Sequence, residues 1–465
     1  MARTMAMTPA LLDSLRATFR DALETDTAVR AVYGYDNSRR EAMPDAVVFP
    51  TSHEQVVALV GACRAHRTPL IARGRGTNTT GASVPVDGGI VASFERMSRI
   101  LAIDPANRLA VVEPGVLNAD LQAALRPHGL FWPPDPTSAP YCTIGGNLAC
   151  NAGGPRAVKY GATRDNVLAV RAVAGSGEEL RAGTPTTKGA TGYDLTRLLI
   201  GSEGTLAIIT EATLKLTPLA SARRTLRATY TDVESAAAAV ARIMAQPSTP
   251  CALEFLDGES LRLARAQGGD AIPEAGAMLI VEADGDEATL SSAVDAISRA
   301  ARGAGLIDLS VAANADDVAQ LWAARKALSP ALRTLSPKKI NEDVVVPVSR
   351  VPELVAATRE LSARYSVPIV CFGHAGNGNV HVNLLPRDDA ELARAHECLG
   401  EIFDVVIRLE GTLSGEHGIG LAKRDFMPRA LDAGALALMR RVKDAFDPDG
   451  IMNPGKLLPA QTAEM

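Results

Sequence analysis

Apolar residues near the start of the chain recur at two different spacings, and each spacing predicts a different element. From Leu11 to about Leu23, and again in SHEQVVALVGACRAHR (52–67), the spacing is helical, and Ser52 suits the N-cap of the second helix. Short β-rich runs flank this helix, with DAVVF before it and TPLIAR after it, and glycines follow at once. The order strand, helix, strand and glycine-rich loop indicates a nucleotide-binding arrangement.

The β-rich pattern ends near TLAIITEATLKLTPL, and from about Arg223 alanine-rich helices alternate with strands such as CALEFLDG and AMLIVEADG. Before this point lies a long turn-rich stretch with little periodicity, PPDPTSAPYCTIGGNLACNAGGPRAVKYG (133–161). We therefore predict a first domain at 1–220, a second domain at 221–435, and a C-terminal helix and tail at 436–465.

Composition and charge exclude several classes of protein. The 48 Lys and Arg residues against 53 Asp and Glu residues give a formal net charge of −5 without a basic stripe, so we expect no nucleic-acid partner. The six cysteines form no C-x-x-C pair, which argues against an iron–sulfur cluster and a disulfide framework and fits a reducing cytoplasm. No apolar run approaches the ~20 residues that span a bilayer. We expect a cytoplasmic protein without a transmembrane segment; peripheral docking at a membrane and homodimer formation are left open.

Three segments rich in glycine carry the first chemical clue. They are RGRGTNTTGAS (73–83), TIGGNLACNAGGPRAVKYG (143–161) and the stretch around GSEG (201–204). Glycines let a backbone approach a ligand closely, and consecutive N–H groups form a nest for a pyrophosphate. No Gly-Lys-Ser/Thr ending of a P-loop is present, and the alternative is three unrelated surface turns. Three such segments favour one large phosphate-containing cofactor.

Three of the seven histidines lie in one C-terminal region, within GHAGNGNVHVNLL and SGEHGIG. The glycines between His374 and His381 disfavour a helix, so we predict a strand, a tight turn and a second strand that bring the two imidazoles together. His381 and Asn383 then share one face of the second strand.

A carboxylate at Glu416 completes a two-histidine, one-carboxylate set with His374 and His381. This set suits Zn²⁺, Mn²⁺ or Fe²⁺ and leaves positions open for a substrate. His417, adjacent to Glu416, is left to act as a general base. The alternative for each histidine is a partly buried structural ring.

The glycine-rich segments resemble the FAD-binding half of the vanillyl-alcohol-oxidase-like flavoproteins. The matching motifs, in order from about residue 44 to 218, are R-G-x-G-T (73–77), P-P-D-P (133–136), T-I-G-G-N (143–147), K-Y-G (159–161), G-Y-D-L (192–195) and G-S-E-G-T-L (201–206). The resemblance implies an α+β fold, with a two-lobed FAD-binding domain and an α/β substrate (cap) domain that contains an antiparallel sheet.

The same resemblance implies which residues bind FAD. The pyrophosphate loop falls on Arg73, Gly74, Arg75, Gly76, Thr77 and Asn78. Contacts on the isoalloxazine side and in the third segment fall on Pro134, Asp135, Thr143, Gly145, Gly146, Asn151, Gly153, Glu203 and Gly204, with Ile208 and Ile209 behind the ring or the adenine. Some relatives attach flavin covalently through His or Cys. Because neither glycine loop contains a histidine, we expect noncovalent FAD.

The histidine motifs resemble the C-terminal half of the FAD-linked D-2-hydroxyacid dehydrogenases, and this match covers nearly the whole chain. In that family two histidines and a glutamate hold a divalent metal, usually zinc, and the next histidine is the proposed base. These positions fall on His374, His381, Glu416 and His417.

Substrate-binding positions of the family fall on Asn383 and on Arg325, in the motif W-x-x-R. In SPKKINED, Lys339 is the expected second cation for a substrate carboxylate, although the sequence leaves open whether Lys338 or Lys339 faces inward. The motif N-P-G-K at 453–456, which begins with Asn453, returns to the FAD domain in relatives.

These features predict oxidation of a D-2-hydroxy acid, with D-lactate favoured, to the 2-oxo acid. The metal is expected to bind the hydroxyl and carboxylate oxygens, His417 to take the hydroxyl proton, and flavin N5 to receive the hydride. A quinone, a cytochrome or an electron-transfer flavoprotein is the expected electron acceptor. Three alternatives stay open: D-2-hydroxyglutarate dehydrogenase or the FAD subunit of glycolate oxidase, a non-catalytic flavin subunit that transfers electrons, and a FAD enzyme of the same superfamily without a metal.

Overall fold

The computed structural model describes residues 7–460, which divide into two compact units. Its first unit comprises residues 7–154, 161–219 and 416–460, and its second comprises 155–160 and 220–415. The last residues of the predicted C-terminal segment, 461–465, lie outside the described residues. Within residues 7–460, no helix combines the length and the apolar character needed to cross a bilayer.

The strands are, in chain order, β1 (Leu23–Glu24), β2 (Ala46–Val48), β3 (Leu70–Arg73), β4 (Ile90–Ser93), β5 (Ile100–Asp104), β6 (Leu109–Val112), β7 (Leu130–Phe131), β8 (Val167–Ala174), β9 (Glu179–Gly183), β10 (Ala207–Lys215), β11 (Thr217–Pro218), β12 (Ala222–Tyr230), β13 (Ala252–Asp257), β14 (Ala277–Gly285), β15 (Leu306–Val311), β16 (Ile340–Val345), β17 (Ile369–His374) and β18 (Asn379–Leu384).

The α-helices are α1 (Pro9–Phe19), α2 (Thr27–Val32), α3 (His53–Ala65), α4 (Asn118–Leu125), α5 (Ile144–Cys150), α6 (Ala157–Tyr160), α7 (Leu195–Leu199), α8 (Val233–Met244), α9 (Gly258–Gly268), α10 (Glu287–Ala301), α11 (Ala315–Leu335), α12 (Val351–Tyr365), α13 (Asp389–Arg408), α14 (Met427–Ala430) and α15 (Ala433–Phe446).

A four-stranded sheet in the order β1-β2-β4-β3 forms one lobe of the first unit, and its strands β2, β4 and β3 run parallel. Helix α3 begins at the predicted place because Ser52 Oγ accepts a hydrogen bond from Gln55 N at 3.3 Å. Val56 and Leu59 of this helix share a buried core with Leu70 and Ile90 of the sheet. The lobe thus has the predicted order of strand, helix, strand and glycine-rich loop.

The second lobe of the first unit is an antiparallel sheet in the order β5-β6-β10-β8-β9. Its core includes the fully buried Trp132, whose indole N–H donates to Asn166 O at 3.0 Å. Helix α5 contributes the buried Ile144 and Leu148 to this core. The second glycine-rich segment is therefore anchored by hydrophobic packing.

The C-terminal tail completes the first unit by running beside β3. Leu70 N donates to Ile451 O at 2.8 Å, and Asn453 N donates to Leu70 O at 2.9 Å. Further back, Leu421 N and Ala422 N both donate to Thr80 O, so the chain joins the first unit from Glu416 onward and not from residue 436, where the sequence pattern changes.

The second unit is built on a seven-stranded antiparallel sheet in the order β15-β12-β14-β13-β17-β18-β16. Helices α9 and α11 cover one face, where Leu261 and Leu328 pack against Leu256, Ile280 and Phe372 of the strands. The predicted hairpin between the two histidines is confirmed, because β17 and β18 pair antiparallel around a short 3₁₀ turn.

The turn-rich stretch 133–161 also contains a short helix, α5, that the sequence pattern did not predict. Helix α5 forms within it because Thr143 Oγ1 accepts from Gly146 N at 3.2 Å and so caps the first turn. A helix of seven residues that carries two glycines in its first turn gives too short a pattern for periodicity to reveal. The overall class is α+β, as the sequence predicts.

Candidate active site

The three glycine-rich segments meet around α5 in the first unit. A Cβ added to Gly74 would lie 2.4 Å from Thr143 Oγ1, so the first segment contacts the cap of this helix. The third segment contacts its other end, where Glu203 N donates to Ala149 O at 2.8 Å. The P-P-D-P motif is also close, because a Cβ on Gly154 would lie 2.6 Å from Asp135 O. Segments far apart in sequence thus come together in space.

Asn78 organises the first of these segments. Its Oδ1 accepts hydrogen bonds from Thr80 N at 2.8 Å, Thr80 Oγ1 at 2.9 Å and Ala82 N at 3.1 Å. Its Nδ2 donates to the carbonyl oxygen of His417 at 2.9 Å. The predicted pyrophosphate loop and the predicted general base are therefore joined directly within the first unit.

The two arginines of the predicted pyrophosphate loop have partners within the protein. Arg73 is 6% exposed, and its Nη1 donates to Tyr35 O at 2.7 Å and to Ser83 Oγ at 3.3 Å. Arg75 forms an ion pair with Glu95 at 3.4 Å. These side chains hold the loop in place, while the glycine and threonine backbone of the loop carries the N–H groups of the predicted nest.

Glu203 has a structural role that the sequence did not reveal. Its φ of 54° is in the left-handed region, and its carboxylate accepts from Ile419 N at 2.6 Å and from Gly420 N at 2.9 Å. Burial raises the pKa of Glu203 to about 7, against the opposing effect of these two donors. Glu203 therefore fixes the backbone that immediately follows His417.

Asn453 connects the tail to two of the predicted FAD-binding segments. Its Nδ2 donates to Ala82 O at 2.8 Å and to Glu203 O at 2.7 Å, and the residue is 2% exposed. Because both amide hydrogens are used in this way, the orientation of the side chain is fixed.

The other predicted FAD contacts are placed as follows. Pro134 O accepts from Asn118 Nδ2 at 3.1 Å, and Asn151 ends α5 in a left-handed conformation with its Oδ1 accepting from Arg164 N. Ile208 and Ile209 lie on opposite faces of β10, because Ile208 belongs to the core of one lobe and Ile209 packs against the core of the other. The two isoleucines therefore have different surroundings.

Two observations indicate that the first unit can accommodate a flavin dinucleotide. Space remains where the predicted contacts lack side chains: a Cβ on Gly204 would meet only Ala72 Cβ at 3.6 Å, and one on Gly146 only Thr143 Oγ1 at 3.4 Å. Two buried polar atoms, Thr79 Oγ1 and Asn453 Oδ1, have no hydrogen-bond partner in the described part of the chain. Free backbone surface beside unsatisfied polar atoms is what a cofactor cradle needs.

In the second unit, the hairpin of β17 and β18 brings His374 and His381 together. Their ring centroids are 5.3 Å apart, both residues are buried, and both lie on the sheet face that carries Phe372. Asn383, two residues after His381, is fully buried on the same face. The sequence prediction of neighbouring imidazoles is confirmed.

A buried carboxylate that the sequence analysis missed lies beside the histidines. Glu254 of β13 is fully buried, and its Oε1 lies 2.5 Å from His374 Nδ1. Its Oε2 accepts from Arg325 Nε at 3.0 Å, and the Arg325 guanidinium stacks over the Phe372 ring. Burial alone would raise the pKa of Glu254, but the attraction of His374 and Arg325 outweighs it and holds the pKa below its usual range. Glu254 leaves only Nε2 of His374 for a metal.

Glu416 is positioned by the residues just before it. Gly415 N donates to Asp343 O at 3.0 Å and to Asp343 Oδ2 at 2.8 Å, and Asp343 is paired across the strands with His381. Because Glu416 directly follows Gly415, its backbone starts close to His381. One ligand atom from each of His374, His381 and Glu416 lies within 4.8 Å of the others.

The donor chemistry of these three residues fits a divalent metal. Two imidazoles and one carboxylate suit Zn²⁺, Mn²⁺ or Fe²⁺. A carboxylate on the second ring nitrogen of a ligand histidine, as Glu254 provides for His374, is a recurring feature of metal sites. Here the only sequence signal was a glutamate in CALEFLDG, a strand buried along its whole length.

The two candidate lysines differ in their surroundings. Lys339 Nζ lies 3.5 Å from Asn383 Oδ1, whereas Lys338 forms an ion pair with the exposed Asp389. Of the two, Lys339 is therefore the one beside Asn383, a point that the sequence left open.

Comparison with known proteins identifies the family of this chain. Residues 219–457 match the C-terminal domain of FAD linked oxidases, and residues 44–183 match a FAD binding domain. The chain belongs to the FAD-linked oxidase family. As a FAD-linked oxidase it is an oxidoreductase that contains a FAD-binding domain.

Alignments with similar proteins cover almost the whole chain. The glycolate oxidase subunit GlcD of Bacillus subtilis (strain 168) is 39% identical over 438 residues, which cover 93% of each chain. The D-lactate dehydrogenase of Anaerostipes hadrus is 36% identical and covers 92% of this chain and 91% of the relative. The D-2-hydroxyglutarate dehydrogenase of Stutzerimonas stutzeri (strain A1501) is 33% identical and covers 97% and 99%.

The fold of this FAD-linked oxidase is also that of p-cresol methylhydroxylase, a vanillyl-alcohol-oxidase-type flavoprotein. The two structures align with a TM-score of 0.80 over 97% of each chain at 15% identity. At this identity the likeness concerns the fold alone.

Proposed function

We propose that this FAD-linked oxidase oxidises a D-2-hydroxy acid to the corresponding 2-oxo acid. The three named relatives act on glycolate, D-lactate and D-2-hydroxyglutarate, which all carry a hydroxyl group next to a carboxylate. D-Lactate is our first candidate, and D-2-hydroxyglutarate and glycolate are the alternatives. The observation that carries the proposal is the group formed by His374, His381 and Glu416, with Glu254 on the outer nitrogen of His374.

His374, His381 and Glu416 would hold a divalent metal, with zinc the first candidate and manganese or iron the alternatives. Such an ion polarises a bound hydroxyl and carboxylate, which lowers the pKa of the hydroxyl. Glu254 would orient His374 and increase its basicity as a ligand. A flavin carrier without substrate chemistry would have no use for this arrangement, which argues against the electron-transfer alternative.

Lys339, Arg325 and Asn383 would bind the substrate. An ammonium at Lys339, 3.5 Å from Asn383 Oδ1, places a positive charge and a polar amide side by side. Arg325 uses its Nε for Glu254, so its two terminal nitrogens carry the donors for a substrate carboxylate. Charge and hydrogen-bond donors together favour an anionic substrate.

His417 would take the proton of the substrate hydroxyl at an imidazole nitrogen. Asn78 holds the carbonyl oxygen of His417, and Glu203 holds the backbone N–H groups of Ile419 and Gly420. The backbone that carries the imidazole ring is therefore held in place. FAD supplies the redox chemistry, because its N5 accepts a hydride.

We further propose that FAD is bound noncovalently, that the protein works in the cytoplasm, and that a quinone, a cytochrome or an electron-transfer flavoprotein reoxidises the flavin. Five of the six cysteines are buried as free thiols, which suits a reducing compartment. Acid precipitation should release yellow flavin into the supernatant; colour that stays on the pellet would contradict noncovalent binding.

The proposal is tested by mixing the FAD-loaded protein anaerobically with D- and L-2-hydroxy acids and following the flavin absorbance. Metal analysis of the same preparation separates it from the metal-free FAD enzymes of the superfamily, which would lack a stoichiometric divalent ion.

A further inference from the structure

A second cluster of polar side chains lies in the first unit, between α15 and the C-terminal tail. It lines a cavity of about 250 Å³. Among residues 7–460, four cationic side chains and one acidic side chain line this cavity: Arg424, Arg440, Lys443, Lys456 and Asp444. Asn453 and Thr205, from motifs that resemble FAD-binding segments, also line this cavity, whereas Arg440, Lys443 and Asp444 lie outside those motifs.

Two of the four cations already have acidic partners. Lys443 forms an ion pair with Asp447 and donates to Thr205 O at 2.7 Å, and Arg424 pairs with Asp425 and donates to Gly455 O. These contacts fix the walls of the cavity, because they tie α15 and the loop before α14 to the tail.

The other two cations, Lys456 and Arg440, lack a carboxylate partner within residues 7–460. Lys456 is 4% exposed, and its ammonium donates only to Pro454 O at 3.0 Å. Arg440 is half-buried on α15, on the same face as Lys443 and Asp444, which follow it by three and four positions. A buried ammonium with no carboxylate in direct contact is costly, and a bound anion would reduce that cost.

The electrostatics of Lys456 point in the same direction. Burial, together with the nearby charge of Arg424, lowers the pKa of Lys456 to about 8 despite the attraction of Asp87, Asp36 and Glu203. The protonated form of Lys456 is therefore disfavoured in the protein without a bound anion. An anion that enters between Lys456 and Arg440 would relieve it.

We propose that this cavity is a binding site for a small, doubly charged oxyanion of the phosphate type. Arg440 offers a planar fork of N–H donors and Lys456 a compact charge, a pair that suits phosphate oxygens. A volume of about 250 Å³ accommodates such an anion but is below the range of pockets for drug-sized ligands. Occupation would link α15 to the tail that runs beside β3.

The test uses isothermal titration of the FAD-loaded protein with inorganic phosphate in a phosphate-free buffer, at an ionic strength held constant with KCl. Arg440→Gln should weaken phosphate binding at least about tenfold, the usual effect of losing a charge-assisted hydrogen bond. Arg441→Gln is the matched control, because Arg441 is exposed next to Arg440 and does not line the cavity. It should leave phosphate binding unchanged.

Asp444→Asn provides a variant with the opposite expected effect. Removal of the acidic side chain of Asp444 from the lining should strengthen phosphate binding by about two- to fivefold, which a damaged fold would not do. Titration with malonate at the same ionic strength separates a phosphate site from a dicarboxylate site. Three results would overturn the proposal: no saturable binding of phosphate, equal binding in Arg440→Gln and Arg441→Gln, or malonate binding without phosphate binding. Loss of FAD as phosphate binds would overturn it too, by placing the cavity in the cofactor site.

Discussion

The side-chain amide of Asn78 donates a hydrogen bond of 2.9 Å to the carbonyl oxygen of His417. The two residues are far apart in sequence, and each was singled out for a different reason, Asn78 in the predicted pyrophosphate loop and His417 as the predicted base. Because the same amide group also holds Thr80 and Ala82 through its oxygen, the loop and the histidine form one rigid structure. A change at Asn78 should therefore affect both FAD binding and the chemical step.

Replacement of Asn78 by alanine should weaken FAD binding by about tenfold, because the loop loses its internal acceptor. At saturating FAD, reduction of the flavin by substrate should still be about tenfold slower, because the carbonyl of His417 loses its donor. Fluorescence titration with FAD and stopped-flow reduction measure the two effects separately. Asn107→Ala, in the exposed turn between β5 and β6, is the control and should change neither. If saturating FAD restores the wild-type rate of flavin reduction in the Asn78 variant, the link to His417 is contradicted.

Replacement of His417 by asparagine should leave folding, FAD content and metal content unchanged but slow flavin reduction by a factor on the order of 10² to 10⁴, the usual contribution of a positioned acid–base group. Stopped-flow absorbance under anaerobic conditions measures this rate. His396→Asn, on the exposed side of α13, is the matched control and should reduce its flavin at the wild-type rate. Equally fast reduction in the His417 variant would place the base elsewhere.

Local sequence patterns predicted much of the fold because their signals act over short distances. The Ser52 cap, the apolar period of α3 and the Gly/Asn turn between His374 and His381 each depend on neighbouring residues. Helix α5 was not predicted, because a helix of seven residues that includes two glycines shows no measurable apolar period. Contacts between residues that are far apart in the chain leave even less signal in the local sequence pattern.

Glu254 and Glu203 illustrate why the sequence could not define the whole site. Glu254 is one polar residue in an apolar strand, and only the pairing of β13 with β17 brings it to His374. Glu203 lies in a motif that resembles a cofactor contact, yet its carboxylate holds the backbone of Ile419 and Gly420. Neither partner is within two hundred residues of Glu203 along the chain, as the separations of 216 and 217 positions show.

Glu254→Gln should lower metal affinity by about 10- to 100-fold, because His374 loses the carboxylate that orients it. Metal content after dialysis against graded concentrations of a chelator measures the affinity, and FAD content should stay the same. Glu282→Gln is the control, since Glu282 is a buried glutamate bonded to Thr225 and Trp322. If both variants retain metal equally well, Glu254 does not support the site. His374→Ala and His381→Ala should each lose the metal and turnover while they keep FAD.

The buried carboxyl of Glu203 should make stability depend on pH. Because burial raises the pKa of Glu203 to about 7, the native state holds this proton more tightly than the unfolded chain does. The resulting stabilisation is complete below about pH 4.5 and is lost as the pH rises through 7. Relative to Glu203→Gln, which does not titrate, the free energy of unfolding of the native protein should fall between pH 5 and pH 8 by at most about 3 kcal/mol. Urea unfolding of both proteins at saturating FAD measures the difference, and parallel pH profiles would contradict the assignment.

The central claim is that this FAD-linked oxidase takes a hydride from a D-2-hydroxy acid. The most direct measurement is anaerobic bleaching of the bound flavin by D-lactate, D-2-hydroxyglutarate and glycolate, with L-lactate and L-2-hydroxyglutarate as matched controls, followed by return of the yellow colour with a dye acceptor. We predict that at least one of the first three acids bleaches the flavin within seconds and yields one 2-oxo acid per flavin, while the L-acids do not. A flavin that stays oxidised with all of these acids in the metal-loaded protein, or that is bleached equally by both enantiomers, would contradict the account.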